Sequence, residues 1–135
     1  SVSWARRCVL ETVVDPWVGC HISHNYHTGD RLYFTFGGRK MEGKELEQYL
    51  YIKKAAEDSF MQNGGTLSHH HAVGTEHLPW VEEDISPTGV KAIEGLKSGL
   101  DPKGVMNPGK IIPGPNPLQA WGLSDEVIKS FKQAD

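Results

Sequence analysis

Two short runs of alternating side chains around a glycine-containing turn constrain the fold of this 135-residue chain most strongly. The runs cover residues 18–26 and 31–36, and residues 27–30 between them include Gly29, which can adopt a positive φ. The second run alternates between an apolar set and a mostly polar set, which are Leu32, Phe34 and Phe36 against Arg31, Tyr33 and Thr35. This pattern predicts a β-hairpin whose apolar face packs on a core, while the face of Tyr33 meets solvent, a cleft or another domain.

A helix is predicted next, over residues 43–62, and the glycine pair at 64–65 ends it. Its expected apolar stripe consists of Leu46, Tyr49, Leu50, Ala56 and Phe60. A short strand over the following histidines would complete a hairpin–helix–strand succession. The predicted fold class is therefore α+β, with an antiparallel sheet covered by helices on one face.

Flanking segments carry weaker signals. We expect a helix over Ala5–Thr12, and a second helix that is capped by Ser86 and ends near Leu100. Its inward side chains are predicted to be Val90, Ile93 and Leu96. Trp80 and Val81 should anchor the segment before it, residues 101–117 read as loop, and Ser124 should cap a short C-terminal helical tail.

The run Gly-Gly-Thr-Leu-Ser-His-His-His-Ala-Val-Gly at residues 64–74 is the strongest chemical signal. As a strand, it would direct His69 and His71 to one face and His70 to the other. Imidazoles donate, accept and titrate near neutral pH, so the run fits a lined pocket as well as a solvated turn. A metal site is a third interpretation, but no HExxH or CxxC pattern accompanies it.

Composition narrows the functional classes. The net charge of −3 and the scattered charges give no basis for binding nucleic acid. No apolar stretch is long enough to cross a bilayer, and the two cysteines form no disulfide framework. Tyrosine at position 33 is a candidate general acid or base, because the histidine-rich segment follows it closely in sequence.

Three segments together resemble the alkyldihydroxyacetonephosphate synthases, which are flavoproteins of the vanillyl-alcohol-oxidase superfamily. They are Tyr33-Phe34-x-Phe36, the run at residues 63–74, and Asp-Pro-Lys-Gly-x-Met-Asn-Pro-Gly-Lys at residues 101–110. The histidine run is typical of the synthases, whereas the last segment marks FAD-linked oxidases in general. Ala72 departs from the glycine usual in the synthases, and Gly109-Lys110 is more similar to the oxidases.

The resemblance implies a flavoenzyme of which residues 1–112 form part of a ferredoxin-like cap domain and residues 113–135 a C-terminal tail. FAD would be held mainly by an N-terminal domain that this chain lacks, with Asn107 as a cofactor contact. In the synthases, the lipid-phosphate substrate forms an adduct with flavin N5, and a fatty alcohol then replaces the acyl group. The resemblance is compatible with a homodimer, with association of the whole enzyme with a membrane surface, and with a cytoplasmic or a peroxisomal location.

The resemblance also assigns roles to site residues. Tyr33 would transfer the proton, and His69, His70 and His71 would hold the phosphate or the leaving carboxylate. Related 2-hydroxyacid dehydrogenases place metal ligands at positions that correspond here to Tyr26, Tyr33, His70 and His71, and a phenol is a poor ligand beside histidines. We therefore expect no metal. An FAD-linked oxidoreductase of a hydroxy acid or alcohol and a flavin-free histidine-rich binding module remain the alternatives.

Overall fold

The computed structural model describes residues 14–68, 70–126 and 128–129 of the chain. The predicted helix at Ala5–Thr12 and the side chain of His69 lie outside the described residues. The chain divides into two compact units, with the boundary between Ser59 and Phe60.

The first unit is built on the predicted hairpin, which the structure confirms. Strands β1 (Val14–Tyr26) and β2 (Gly29–Arg39) pair antiparallel around a two-residue turn. Both strands are longer than predicted, because pairing continues past the glycines at 37 and 38 instead of ending there. The ring of Trp17 lies over Gly19 on this sheet, where an added Cβ would sit 2.9 Å from the indole.

Two β-bulges interrupt β1. In each, two residues of β1 lie opposite one residue of β2, between Val14 and Trp17 and again between Ser23 and Tyr26. The first residue of each bulge, Asp15 and His24, has a φ of 49° and 54° respectively. Asp and His are among the side chains that tolerate this left-handed conformation best after glycine. The second bulge shifts the alternation by one residue, which brings Tyr26 to the face that carries Tyr33.

Helix α1 (Glu45–Gln62) contacts the other face of the hairpin, in keeping with the α+β prediction. Its buried Ile52 packs against Val18 and Phe36, which are paired across the two strands. The predicted packing of the hairpin's apolar face on a core is wrong at Leu32, because Leu32 and its partner Ile22 are 50% and 62% exposed. The predicted apolar stripe is wrong at its N-terminal end, since Leu46 and Tyr49 are 65% and 48% exposed. The sheet contacts the side of the helix that carries Ile52, and this side does not include Leu46.

The second unit has its own apolar core. Its buried members are Leu67, Leu78, Trp80, Val81 and Val90. The 3₁₀ helix η1 (Leu78–Trp80) leads directly into helix α2 (Val81–Leu100), so Trp80 and Val81 anchor this segment as predicted.

Helix α2 is interrupted at Ser86, whose φ of 70° and ψ of 159° are not helical. The hydroxyl of Ser86 accepts a hydrogen bond from the Gly89 N–H at 3.3 Å, which confirms the predicted cap at the start of the longer segment. Val90 is buried as expected, but Leu96 is 65% exposed, so its predicted inward position is wrong. The core cluster ends near Val90 and does not follow the helix to its C-terminus.

Asp101 ends α2 and fixes the loop that follows. Its buried carboxylate accepts hydrogen bonds from the N–H groups of Val105 and Met106, at 3.0 and 2.9 Å. Lys97 pairs with the same carboxylate at 3.0 Å and donates to the Met106 carbonyl. The hydrogen bond from Lys97 and those from the two N–H groups hold the pKa of Asp101 below its usual value, and burial opposes them.

We predict that Asp101→Asn lowers the melting temperature of this unit at pH 7, because the amide cannot replace the ion pair and turns a donor toward a backbone N–H. An aspartate whose pKa is lowered on folding stabilises the fold above the unfolded pKa of about 3.9, and this contribution is lost as the pH falls further. Melts of both forms should therefore converge as the pH is lowered from 4 toward 2. Glu94→Gln, an exposed carboxylate on the same helix, is the control, and equal melting of wild type and Asp101→Asn at pH 7 contradicts this role.

The C-terminal part adds the 3₁₀ helix η2 (Pro117–Trp121). Trp121 stacks at 5.7 Å on Trp80 and donates its indole N–H to the Glu76 carbonyl at 3.1 Å, which ties this segment to the core. Beyond it, the Ile128 N–H bonds to the Ser124 carbonyl at 3.0 Å, as expected for a helix that begins at Ser124. In the described part of the chain, no helix is long and apolar enough to cross a membrane.

Candidate functional site

Tyr33 lies in the middle of β2 on the hairpin face opposite the α1 contact. It is half-buried and pairs directly with His21 of β1. The two rings are tilted by 34° with their centroids 5.2 Å apart. Tyr33 is therefore not part of the core, as predicted, and an exposed imidazole is its cross-strand neighbour.

The same face carries a guanidinium. Arg31 precedes Tyr33 by two residues, pairs with Ser23, and is half-buried. Its Nε atom is buried and has no hydrogen-bond acceptor among the described residues. This face thus combines a phenol, an imidazole, a hydroxyl and a cation along a few residues of the hairpin.

The described residues of the histidine run are not in a strand, so the predicted alternation of side chains is wrong for them. Between Leu67 and Val73 these residues form bends and irregular backbone. The Ser68 hydroxyl accepts a hydrogen bond from the His71 N–H at 3.1 Å, and Ala72 has a φ of 67°. Such local side-chain-to-backbone bonds compete with strand pairing, which explains why the segment turns.

The segment from Leu67 to Val73, which we call the histidine loop, is fixed at both ends to the core of the second unit. Leu67 is buried in the core cluster, and Val73 packs against the same cluster. The Nδ1 atom of His77 lies 3.2 Å from the Val73 carbonyl and 3.3 Å from the Ala72 carbonyl. Both partners are acceptors, so this nitrogen carries the proton and holds the C-terminal end of the loop.

At the tip of the loop, His70 and His71 are exposed and contact each other edge to face, with centroids 4.2 Å apart. Tyr33 belongs to the first unit and these histidines to the second. The sequence also leads us to expect at least one of the three histidines within hydrogen-bond or one-water reach of the Tyr33 hydroxyl, and this stays a prediction.

Asn107, the predicted cofactor contact, lies in the exposed loop after Asp101 and has a φ of 45°. Asparagine tolerates this left-handed conformation, which gives the residue a local structural role beside the predicted one. Within the described residues, no group of three or more His, Cys, Asp or Glu side chains is arranged to hold a metal ion.

His21 and Arg31 were not predicted as site residues from the sequence. Both were visible as strand residues, and Arg31 was already on the face of Tyr33. The missing signal was the register, because the bulge decides that His21, and not Ile22, lies opposite Tyr33.

The sequence matches the family described as FAD linked oxidases, C-terminal domain, over residues 5–111. The chain belongs to this family. The FAD-linked oxidase resemblance seen in the motifs is thereby confirmed, and the division into a cap portion and a tail stays a prediction.

Individual relatives are similar over most of the chain. The chain is 43% identical over 107 residues to the alkyldihydroxyacetonephosphate synthase of Trypanosoma brucei brucei and 41% identical over 100 residues to that of Dictyostelium discoideum. These matches cover 79% and 74% of the chain. An uncharacterized FAD-linked oxidoreductase of Escherichia coli (strain K12) is 31% identical over 71% of the chain. The chain spans only 16–20% of the length of these relatives.

Proposed function

We propose that this chain is the C-terminal cap portion of a flavoenzyme that exchanges the acyl group of acyl-dihydroxyacetonephosphate for a fatty alcohol. The observation that carries this proposal is the identity of 43% and 41% to two alkyldihydroxyacetonephosphate synthases over about three quarters of the chain. Residues 1–112 would belong to the cap and residues 113–135 to the tail.

Tyr33 is proposed as the proton-transfer residue. The exchange breaks the bond between the substrate carbon and the fatty-acid oxygen and forms a bond from that carbon to the alcohol oxygen. The fatty acid leaves as a carboxylate, and the alcohol gives up its proton, so no net oxidation occurs. A half-buried phenol on the hairpin face opposite the α1 contact, beside an imidazole, is suited to carry this proton, because it is not part of the apolar core.

The histidine loop is proposed to hold an anionic group of the substrate. His70 and His71 are exposed at the tip of a loop whose two ends are fixed to a core, so the imidazoles can meet a ligand without reorganising the unit. Hydrogen bonds from imidazole to phosphate or carboxylate are strong when either partner is charged. His69 would share this role.

FAD, when bound, would supply the reactive centre for the exchange. In the described part of this chain, the sheet is a two-stranded antiparallel hairpin. It therefore contains no strand–helix–strand unit of the kind that places a pyrophosphate on a helix N-terminus. Asn107 is the residue of this chain that would contact the cofactor.

The 135-residue chain alone should accordingly bind FAD weakly or not at all. After incubation with excess FAD and gel filtration, the flavin absorbance of the protein peak should correspond to far less than one FAD per protein molecule. The full-length protein, treated in the same way, is the positive control. A stoichiometric yellow complex of the chain alone would overturn the assignment of flavin binding to another domain.

An FAD-linked oxidoreductase acting on a hydroxy acid or alcohol is the second candidate, and the Escherichia coli relative favours it. One assay separates the two functions. The full-length protein is given acyl-dihydroxyacetonephosphate and a labelled fatty alcohol, and in parallel 2-hydroxy acids with an artificial electron acceptor. Label transfer without reduction of the acceptor supports the exchange reaction, and the reverse result supports the oxidoreductase.

A further inference from the structure

Arg31 has a buried polar atom that the fold itself leaves without a partner. Its Nε is inaccessible to solvent and finds no acceptor among the described residues. Leaving a buried N–H unsatisfied is costly, and nearly all such groups in proteins bind protein atoms, water or a ligand. Arg31 as a whole is only half-buried, so the described residues hold a guanidinium that is partly accessible and lacks an acceptor for its Nε.

The position of Arg31 indicates where that acceptor would lie. Arg31 and Tyr33 are successive residues on one sheet face, so their Cα atoms are about 7 Å apart. His21 and Ser23 pair with them on β1 and complete a polar patch, which we call the hairpin patch: His21, Ser23, Arg31 and Tyr33. A ligand that meets the phenol is thus within one residue spacing of the guanidinium.

No carboxylate of the described chain neutralises Arg31. The other arginine of β2, Arg39, pairs with Asp15 at 2.8 Å, at the far end of the hairpin. Arg31 has no ion pair of this kind with any described residue. Among the described residues, its positive charge is therefore uncompensated, and it lies beside the candidate proton-transfer residue.

We infer that Arg31 binds an oxyanion of the substrate next to Tyr33. Guanidinium groups bind phosphate and carboxylate oxygens through two parallel N–H donors, which fixes orientation as well as charge. The inference rests on the proposed function for the identity of the ligand. In the exchange reaction the oxyanion is the phosphate or the leaving carboxylate, and in an oxidoreductase it is the carboxylate of the hydroxy acid.

The test compares Arg31→Gln and Arg31→Lys with Arg39→Gln in the full-length protein. Arg39→Gln removes one positive charge from the same strand but opens an existing ion pair. We expect Arg31→Gln to raise the KM for acyl-dihydroxyacetonephosphate about 10- to 100-fold, with a smaller change in kcat, because one charge-assisted hydrogen-bonding partner is lost. Arg31→Lys should recover part of the lost substrate affinity, since it keeps the positive charge but lacks the two parallel N–H donors of the guanidinium.

Two inhibitors distinguish the sources of the oxyanion. If Arg31 binds the phosphate, inhibition by inorganic phosphate weakens in Arg31→Gln while inhibition by a fatty-acid anion is unchanged. If it binds the leaving carboxylate, the fatty-acid anion is the inhibitor that weakens. Either pattern supports the inference. Arg31→Gln values that match those of Arg39→Gln for KM and for both inhibitors overturn it.

A failure of the proposed function would be seen separately. If the wild-type protein shows no exchange activity, calorimetric titration with inorganic phosphate and with a 2-hydroxy acid still measures oxyanion binding by Arg31. Weaker binding in Arg31→Gln than in Arg39→Gln would then support the site without the synthase reaction. Equal binding would reject the site, provided that all variants show the wild-type melting temperature and flavin content.

Discussion

Tyr33→Phe should lower the turnover of the full-length enzyme by a factor of about 100 to 10,000, which is the usual loss when a general acid or base is removed. The substitution removes a single oxygen from a side chain on the hairpin face opposite the α1 contact. It leaves the packing of Val18, Phe36 and Ile52 on the other face untouched. Melting temperature and flavin content should therefore equal those of the wild type, and steady-state kinetics give the measurement.

Tyr26→Phe is the matched control for this experiment. Tyr26 is 53% exposed and lies on the same face of the same hairpin, beyond the bulge. The same oxygen is removed, and turnover should stay close to wild type. Near-full turnover of Tyr33→Phe would show that the proton is transferred by another group, while the family assignment would be unaffected because it rests on the match over residues 5–111.

His71→Ala separates the proposed role of the histidine loop from that of the Tyr33 phenol in the same assay. It should raise the KM for the anionic substrate more than it lowers kcat, since the histidine is proposed to hold a charge and not to move the proton. An equal loss in kcat with no change in KM would argue against the anion-holding role.

Trp80→Ala should destabilise the second unit by about 3–5 kcal/mol, the range found when a buried tryptophan is truncated. Trp80 is 5% exposed, belongs to the cluster with Leu67 and Val81, and stacks on Trp121. The indole supports three segments at once, namely the histidine loop, the start of α2 and η2. Little of this loss can be recovered by local collapse, because each segment depends on the same side chain.

Hydrogen–deuterium exchange of the full-length protein measures this effect locally. Amides of α2 should exchange much faster in Trp80→Ala, while those of β1 and β2 should not change. Trp17→Ala is the control, since this indole is 58% exposed on the hairpin. Unchanged protection of α2 in Trp80→Ala would show that the core of this unit does not depend on the indole.

Local signals in the sequence were sufficient to predict the elements that have a strong periodicity or clear start and stop residues. Alternation predicted the hairpin, and the glycine pair and the serine cap predicted where α1 ends and where the main part of α2 begins. The prediction of a strand over the histidines is wrong because the Ser68 hydroxyl accepts a hydrogen bond from the backbone N–H three residues later. This bond favours a turn over the hydrogen bonds between paired strands. Alternation alone cannot show this competition.

The candidate site was only partly predictable for a geometric reason. Around a two-residue turn, regular pairing would place Ile22 opposite Tyr33. The bulge that begins at His24 shifts the register by one residue, so that His21 takes this place. Helix faces were similarly uncertain, since Leu46 and Leu96 continue an apolar pattern beyond the part of each helix that meets a core.

The bulge at His24 means that β1 contains one residue more near the turn than regular pairing requires. Ser23 pairs with Arg31 and Tyr26 with Gly29, so removing one of the two residues between Ser23 and Tyr26 would restore regular pairing and leave Tyr26 on the face of Tyr33. A single-residue deletion should therefore be tolerated better here than elsewhere in β1, where it would turn the residues on one side of it to the other face. Homologous hairpins are therefore best aligned by counting residues from the turn, with a gap allowed at the bulge, before their site residues are compared.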